Sequence, residues 1–307
     1  MGDLYAGLDL GGTKCAAVLA SVAGGDIRFL ARKEVPTQGD WRGVMSPLLR
    51  FINENILKDG RALRGCGISC GGALDSRAGV ILNPPNLMSF MNVPIVDYVQ
   101  SALQCPARLQ NDADACALAE WRFGAGRGTQ NMISLTFGTG LGAGLILDGK
   151  LYVGARNLAG EVGHIRLAPE GPEGYRKRGS FEGFCSGGGI RQLISMRSAE
   201  SFGTGEDYDA KELAARADAG DPAALAVWEE IGTRFGQGLA ILVDILNPEA
   251  VVAGSIFSRA HRFLYEPAMC ALREEALPES LVGFRLLSAE LGDQIGDYAA
   301  IAIGISV

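Results

Sequence analysis

The sequence predicts an α/β protein in which one structural unit occurs twice, so that two lobes face each other across a cleft. Near the start, three strand-like runs are separated by glycine turns at residues 11–12 and 24–25. The same order of strand, glycine turn and strand recurs at residues 131–154, and the first turn again contains glycine and threonine. A unit that repeats about half a chain later predicts a duplicated fold.

In the first unit, apolar runs predict strands at 4–10, 15–22 and 27–35, which form an antiparallel meander. Apolar residues recur with helical spacing at Val44, Leu48, Leu49 and Ile52, which predicts a helix over 41–55. A short buried strand at 65–69, a helix at 95–104, a strand at 107–110 and a helix at 113–121 complete this unit.

The second unit begins with strands at 131–136, 141–147 and 151–154 and continues, after a loop-rich stretch at 169–180, mainly as helices. These helices are predicted at 213–219, 222–246 and 259–275, with a buried strand at 250–253. A final helix at 295–305 is expected to pack back on the fold. We therefore expect a first lobe of residues 1–112, completed by 295–307, and a second lobe of 113–294, with a hinge near Asp112.

Composition excludes several classes of function. The 307 residues carry a net charge of −7, which disfavours a nucleic-acid-binding surface. The seven cysteines are scattered without a C-x-x-C pair, a usage typical of a reducing cytosol. The first strand follows Met1 closely, which leaves no room for a signal peptide, and no apolar stretch reaches the roughly 18 residues that a membrane span needs. We expect a cytoplasmic protein.

The two matching turns indicate a phosphate site. Gly11 and Gly12 expose backbone N–H groups, and Thr13 adds a hydroxyl, while Asp9 at the strand end is suited to hold Mg²⁺ directly or through water. The second turn, with Gly138, Thr139 and Gly140, offers amides from the other lobe. Either turn alone is better explained as an ordinary hairpin turn. Each leads into a strand, so neither is a Walker loop or a Rossmann fingerprint.

Five segments together resemble the ROK (repressor, open reading frame, kinase) family over nearly the whole chain. They are DLGGTK at 9–14, LQNDADACALAEW at 109–121, FGTGLGAGLILDGKL at 137–151, AGEVGHIRL at 159–167 and NPEAVVAGSI at 247–256. The resemblance implies the duplicated actin-like, ribonuclease-H-type ATPase fold. It also implies that Lys14 belongs to the phosphate-binding residues, and that Gly254 and Ser255 form the turn that approaches the adenosine of ATP. A strand-end glycine that needs a positive φ also explains Gly254.

For the chemical step, the resemblance implies Asp112 as the general base and Asn111 as a sugar ligand. On spacing alone, a helix N-cap at Asp112 or Asp114 explains these acids as well as a catalytic role does. We expect Asp114 to be the N-cap. The resemblance further implies that the sugar is bound by Glu161, His164 and Glu182, together with Gly72 and Asn86. Without it, Glu161 reads as a surface acid and His164 as a structural histidine.

The sequence departs from the family in one segment. Many relatives follow the histidine with C-x-C-G-x-x-G-C, which supplies three zinc ligands. Here residues 171–183 read GPEGYRKRGSFEG, with Glu173, Tyr175 and Ser180 at about the positions of the thiolates. We therefore expect no zinc, and the placement of Glu182 depends on another way of ordering this loop. Its cluster Arg176, Lys177 and Arg178 is most simply a solvated face.

The resemblance implies an ATP-dependent hexose kinase of the glucokinase type that uses ATP and Mg²⁺ and phosphorylates O6 of a hexose. Kinases for N-acylhexosamines such as N-acetylmannosamine, for fructose or for allose are alternatives, because the predicted pocket recognises hydroxyls that these sugars share. A non-catalytic sugar-sensing protein is a more distant alternative. A repressor is disfavoured because the first phosphate strand begins near residue 4. We expect a homodimer.

Overall fold

A computed structural model describes residues 2–197 and 209–306. The first lobe is built on a sheet of order β3-β2-β1-β4-β7, in which β1, β2 and β3 are antiparallel and β1, β4 and β7 are parallel. Its strands are β1 (Asp3–Leu10), β2 (Lys14–Ala23), β3 (Asp26–Pro36), β4 (Leu63–Cys70) and β7 (Ala107–Asn111). A separate small hairpin joins β5 (Leu74–Asp75) to β6 (Val80–Ile81).

The second lobe repeats this topology with a sheet of order β10-β9-β8-β13-β14. Its strands are β8 (Met132–Phe137), β9 (Leu141–Leu147), β10 (Lys150–Tyr152), β13 (Ala250–Ala253) and β14 (Arg285–Ser288). The first three are antiparallel, and β8, β13 and β14 are parallel, as in the first sheet. The predicted duplication is therefore confirmed. A further two-stranded hairpin, β11 (Glu173–Gly174) and β12 (Lys177–Arg178), lies in the stretch that was predicted to be loop.

Helices cover both sheets. They are α1 (Trp41–Asp59), α2 (Ile95–Leu103), α3 (Asp112–Phe123), α4 (Phe181–Phe184), α5 (Gly187–Arg197), α6 (Ala210–Asp218), α7 (Pro222–Leu246), α8 (Ile256–Arg259), α9 (His261–Glu275) and α10 (Ile295–Ile305). The helix predicted at 259–275 is α9, which begins at His261 because the chain leaves the helical conformation at Ala260, and the short α8 precedes it. Within the described ranges, no helix has both the length and the apolar character that crossing a bilayer requires.

Two helices lie between the sheets. The last helix, α10, packs on β1 and β4 of the first lobe, α3 packs on β8 and β9 of the second, and the two helices contact each other. Glycine makes the close approach possible, because a Cβ at Gly67 would overlap the Ala300 carbonyl oxygen of α10. Apolar cores fill the outer faces, under α1 and α2 in the first lobe and under α7 and α9 in the second. Since α3 starts at Asp112, this packing places that residue at the junction of the lobes.

Candidate functional site

Asp9 lies at the end of β1, half-buried, opposite Ser69 of the neighbouring strand β4, whose side chain lowers the pKa of the Asp9 carboxyl. Burial is the main cause that raises the pKa of Asp9 to about 6, and the negative charges of Asp112 and Asp297 raise it further. Arg32 acts in the opposite direction. Carboxylates from three separate elements therefore line one cavity and place negative charge around Asp9, where a bound cation would be stabilised.

The first glycine turn lies beside Asp9. It is closed by a hydrogen bond of 3.1 Å from the Gly11 amide to the Lys14 carbonyl oxygen. A Cβ at Gly12 would come within 2.8 Å of the Asn86 carbonyl oxygen, so the turn and the loop of Asn86 are in direct contact. Thr13 is exposed, and the Lys14 ammonium forms a 3.0 Å ion pair with Glu34. The structure thus brings a predicted phosphate turn and a predicted sugar residue together.

Asp112 begins α3 at the carboxyl end of β7. The N-cap of this helix is Asn111, whose Oδ1 accepts a 2.9 Å hydrogen bond from the Ala113 amide. This leaves the Asn111 amide group near Gly72, where a Cβ would approach Nδ2 to 3.2 Å. The Asp112 side chain opens onto the cavity, yet the walls around it displace enough water to raise the pKa of its carboxyl, against the effect of backbone hydrogen bonds.

These groups line one cavity of about 450 Å³. Its walls contain the predicted residues Asp9, Gly11, Gly12, Lys14, Gly72, Asn86 and Asp112. They also contain Arg32, Asp293, Gly296 and Asp297, which the sequence analysis did not identify. A Cβ at Gly296 would lie 2.5 Å from Asp9 Oδ2, so the start of α10 reaches the Asp9 carboxylate. No local motif marks this contact, because nearly 300 residues separate its partners.

The second glycine turn is built differently. A 3.0 Å hydrogen bond from the Gly138 amide to the Gly140 carbonyl oxygen closes it, and the Gly187 amide at the start of α5 donates to Gly138 at 2.8 Å. Ser255 lies against it, since a Cβ at Gly138 would be 3.7 Å from Ser255 Oγ. Gly138, Thr139, Gly140, Gly254 and Ser255 therefore form a second cluster, outside the walls of the 450 Å³ cavity.

One conformational expectation for this cluster is wrong. The positive φ after β13 occurs at Ser255, with φ 53°, and not at Gly254. A non-glycine residue in this region is uncommon and accumulates at functional turns. A Cβ at Gly254 would lie 3.4 Å from the Ala289 Cβ and 3.8 Å from the Leu135 carbonyl oxygen, which are ordinary contacts, so the space around this glycine does not require it either.

Glu182 and His164 lie next to the second turn. Glu182 Oε2 accepts a 3.0 Å hydrogen bond from the Leu141 amide, and a Cβ at Gly140 would come within 2.8 Å of the same oxygen. The predicted sugar-binding acid therefore also holds the predicted phosphate turn. His164 is half-buried, and its ring packs edge-on against Tyr175 with centroids 5.0 Å apart.

The loop that lacks the family's cysteines is ordered by its own hydrogen bonds. Residues 173–178 form the β11–β12 hairpin, and its two central residues, Tyr175 and Arg176, both have positive φ. Lys177 Nζ donates to the His164 carbonyl oxygen at 2.7 Å, so this residue is not simply part of a solvated face. Gln192 pairs with both backbone groups of Glu173 at 2.8 Å. The absence of zinc remains a prediction.

Asp114 corrects another expectation, because it does not cap α3. Its side chain is buried and accepts a 2.6 Å hydrogen bond from Gln110 Nε2. Burial raises the pKa of Asp114 to about 7, with smaller contributions from the charges of Asp112 and Glu161. Asn111 takes the cap because its backbone is extended, whereas residue 114 lies inside the first turn. Glu161, an exposed acid, therefore lies close enough for its charge to act on Asp114.

The donors present suit a nucleotide and a divalent cation. Polyphosphates need backbone amides at close range, and glycine supplies them at both turns, where Cβ atoms at Gly12 and Gly140 would collide with neighbouring groups. Magnesium prefers one or two carboxylates together with phosphate oxygens and water. Asp9 offers one such carboxylate at the edge of the first glycine turn. In the described part of the chain, no group of three or more His, Cys, Asp or Glu is arranged to hold a metal by protein ligands alone.

Comparisons with known proteins agree with this geometry. Residues 5–305 match the model of the ROK family. A glucokinase of Thermotoga maritima is 30% identical over 308 residues, covering 97% of this chain and 96% of the relative. A ROK hexokinase structure from Thermus thermophilus superposes with a TM-score of 0.83 at 31% identity, covering 99% and 98% of the two chains. A ROK glucokinase from Streptomyces griseus, in complex with glucose and AMPPNP, superposes with a TM-score of 0.73 at 29% identity, covering 99% and 100%.

Proposed function

Because the chain belongs to the ROK family, we propose that it is an ATP-dependent hexose kinase that transfers the γ-phosphoryl group of ATP to a hexose hydroxyl, with O6 as the acceptor. The observation that carries this proposal is the position of Asp112. It lies at the junction of the lobes, in the same cavity as the Asp9 turn and beside Asn111 and Gly72. Relatives named glucokinase and a neighbour bound to glucose and AMPPNP support the substrate pair.

Asp112 is proposed as the base that accepts the proton of the attacking hydroxyl. A carboxyl with a raised pKa holds a proton more readily than an ordinary one, which favours proton acceptance as the new O–P bond forms. Asn111 has its Oδ1 occupied by the helix amide, so its NH₂ group is the part that can donate to a sugar hydroxyl. Both residues are held by the first turn of α3, which fixes them relative to each other.

The remaining sugar contacts are proposed to come from both lobes. Gly72 and Asn86 contribute from the first lobe, and Glu161, His164 and Glu182 from the second. Glu182 already bonds to the Leu141 amide, so its other carboxylate oxygen is the one that can accept from the sugar. Closing the lobes on the sugar would exclude water, which otherwise competes as the phosphoryl acceptor.

The phosphates of ATP are proposed to lie against both glycine turns, with Gly11, Gly12, Thr13 and Lys14 on one side and Gly138, Thr139 and Gly140 on the other. Gly254 and Ser255 would approach the adenosine. When bound near Asp9, Mg²⁺ supplies charge neutralisation for the transferring phosphoryl group. The clustered acids that raise the pKa of Asp9 favour a cation at that place.

We further infer a cytoplasmic homodimer that binds neither nucleic acid nor membrane. All seven cysteines are free, as expected in a reducing compartment, and the net charge of −7 opposes binding to phosphate backbones. Size-exclusion chromatography with light scattering tests the assembly, since a dimer has twice the 32.3 kDa of one chain.

A coupled assay for ADP release tests the proposed activity. The purified protein is given ATP and Mg²⁺ with a panel of hexoses and N-acylhexosamines, and with water alone as the blank. We expect turnover with glucose or a close hexose well above the blank. ATP binding without turnover on any sugar of the panel would refute the kinase and favour a sugar-sensing protein.

A further inference from the structure

A second and larger cavity, of about 770 Å³, lies between the lobes and shares no lining residue with the cavity of Asp9 and Asp112. We call it the back cavity. The first lobe contributes the β5–β6 hairpin and the starts of α2 and β7, and the second contributes β10 and the loop after it. The ends of α3 and α10 complete its wall. A ligand here would touch both lobes at once.

The wall of the back cavity is basic in an acidic protein. Four cationic side chains line it, against one acid, Asp97. The cations are Arg77, Arg108, Arg122 and Lys150, and in the described residues none of them forms an ion pair with an acidic side chain. Arg108 donates to the Ser306 carbonyl oxygen and Arg122 donates to the Ser306 hydroxyl oxygen, neither of which carries a negative charge. Such unbalanced positive charge between low-dielectric walls attracts a small anion.

Two buried polar atoms in this wall have no hydrogen-bond partner. One is Arg122 Nε, a donor on the first side of the cavity, and the other is Asn157 Oδ1, an acceptor on the second. Burial lowers the pKa of Arg122, which shows that its guanidinium has lost water without gaining a counter-charge. Both atoms are buried inside the wall, so what the cavity itself offers a ligand is the uncompensated positive charge of Arg122 and its neighbours.

We propose that the back cavity binds a sugar phosphate, with its phosphate on the arginines and Lys150. Arginine forks match phosphate oxygens in a bidentate geometry. Leu118, Trp121 and Leu151 provide an apolar wall for the sugar ring. The volume lies within the range of small-molecule sites.

Because both lobes line the cavity, this ligand is expected to change how readily they close. Any ligand that binds one separation of the lobes better than another shifts the population toward it, and the coupling to the sugar site is reciprocal. The back cavity would thus regulate the protein from outside the catalytic cleft. The regulatory part of this inference rests on the proposed function, whereas binding to the back cavity is measured directly and stands without it.

The test is a titration of the full chain with glucose 6-phosphate in the presence of saturating glucose, followed by calorimetry and by the fluorescence of Trp121. Arg77 and Lys150 are exposed, and the double variant Arg77→Gln/Lys150→Gln removes their charges from the wall. The matched control is Arg50→Gln, an exposed arginine on α1 outside both cavities. Trp121→Phe assigns the optical signal.

We expect saturable binding to the wild type and to Arg50→Gln, and at least a tenfold higher Kd for the double variant, as expected for two lost charged contacts. Inorganic phosphate should bind more weakly than glucose 6-phosphate. No saturable binding, or the same Kd in the double variant, would overturn the site. Equal Kd values for phosphate and glucose 6-phosphate would overturn the sugar phosphate as its ligand.

Discussion

The buried carboxyl of Asp114 lowers the free energy of unfolding at neutral pH, and the variant Asp114→Asn should therefore be more stable than the wild type there. A carboxyl whose pKa is raised in the folded state is disfavoured when ionised. At about 1.4 kcal/mol per pKa unit, a rise from 3.8 to about 7 corresponds to at most about 4.5 kcal/mol. The penalty is absent near pH 4, grows as the pH rises toward 7, and is complete above that.

The Asn side chain has nearly the same shape and its oxygen can still accept from Gln110 Nε2. Urea denaturation at pH 8 should therefore show the variant to be more stable by about 1–3 kcal/mol, less than the upper limit because water and relaxation ease the buried charge. At pH 4 the two proteins should agree within about 0.5 kcal/mol. Asp26→Asn, an exposed acid, is the control.

A gain of equal size at pH 4 and pH 8 would refute this reasoning, because the titration of Asp114 would then not be its cause. A loss of stability at pH 8 would show instead that the ionised carboxylate is needed in the folded protein.

Three further predictions concern packing, pH and the sugar loop. Gly67→Ala should lower the free energy of unfolding by about 3 kcal/mol or more, since its Cβ would overlap the backbone of α10. Gly43→Ala, in a helix with open space around it, should instead add up to about 1 kcal/mol, and urea titrations compare the two. The kcat/KM for sugar should fall as the pH drops below about 6, because Asp9 and Asp112 both have raised pKa values and both must be ionised for activity. A kcat/KM that stays constant from pH 5 to 8 would contradict this. Tyr175→Ala should raise the KM for sugar several-fold and leave the KM for ATP unchanged, because the Tyr175 ring packs edge-on against the predicted sugar-binding histidine. Tyr175→Phe keeps the ring and should stay near the wild type. If Tyr175→Ala has the same KM for sugar as the wild type, the ring has no part in sugar binding.

Sequence reasoning succeeds for the elements with strong local patterns. The two meanders, the strand 250–253 and the helix 222–246 combine apolar runs with clear glycine or proline boundaries, and the structure has them at or near the predicted bounds. The recurrence of the meander also predicts the shared strand order of the two sheets. Local signals are sufficient here because each element carries its own periodicity.

The sequence predictions are wrong or incomplete where contacts between residues far apart in the chain determine the structure. The strand Arg285–Ser288 is too short and too polar to stand out, and it forms by pairing with β13. The hairpin at 173–178 has no glycine or asparagine at its two central positions, so no turn signal marks it. Asp114 resembles a cap in sequence, but the phase of the helix turns it inward to Gln110. Asp297 joins Asp9 only because α10 packs back on β1.

The central claim is that Asp112 accepts the proton between the lobes, and rapid-quench kinetics with Asp112→Asn test it. The variant has almost the same shape but cannot accept the proton at its side-chain oxygen. Removal of a general base predicts a kcat lower by about 10²–10⁴-fold, with a sugar Kd, measured by calorimetry, within about threefold of the wild type. A variant that keeps its kcat, or one that loses sugar binding and activity in equal measure, would contradict the role assigned to Asp112.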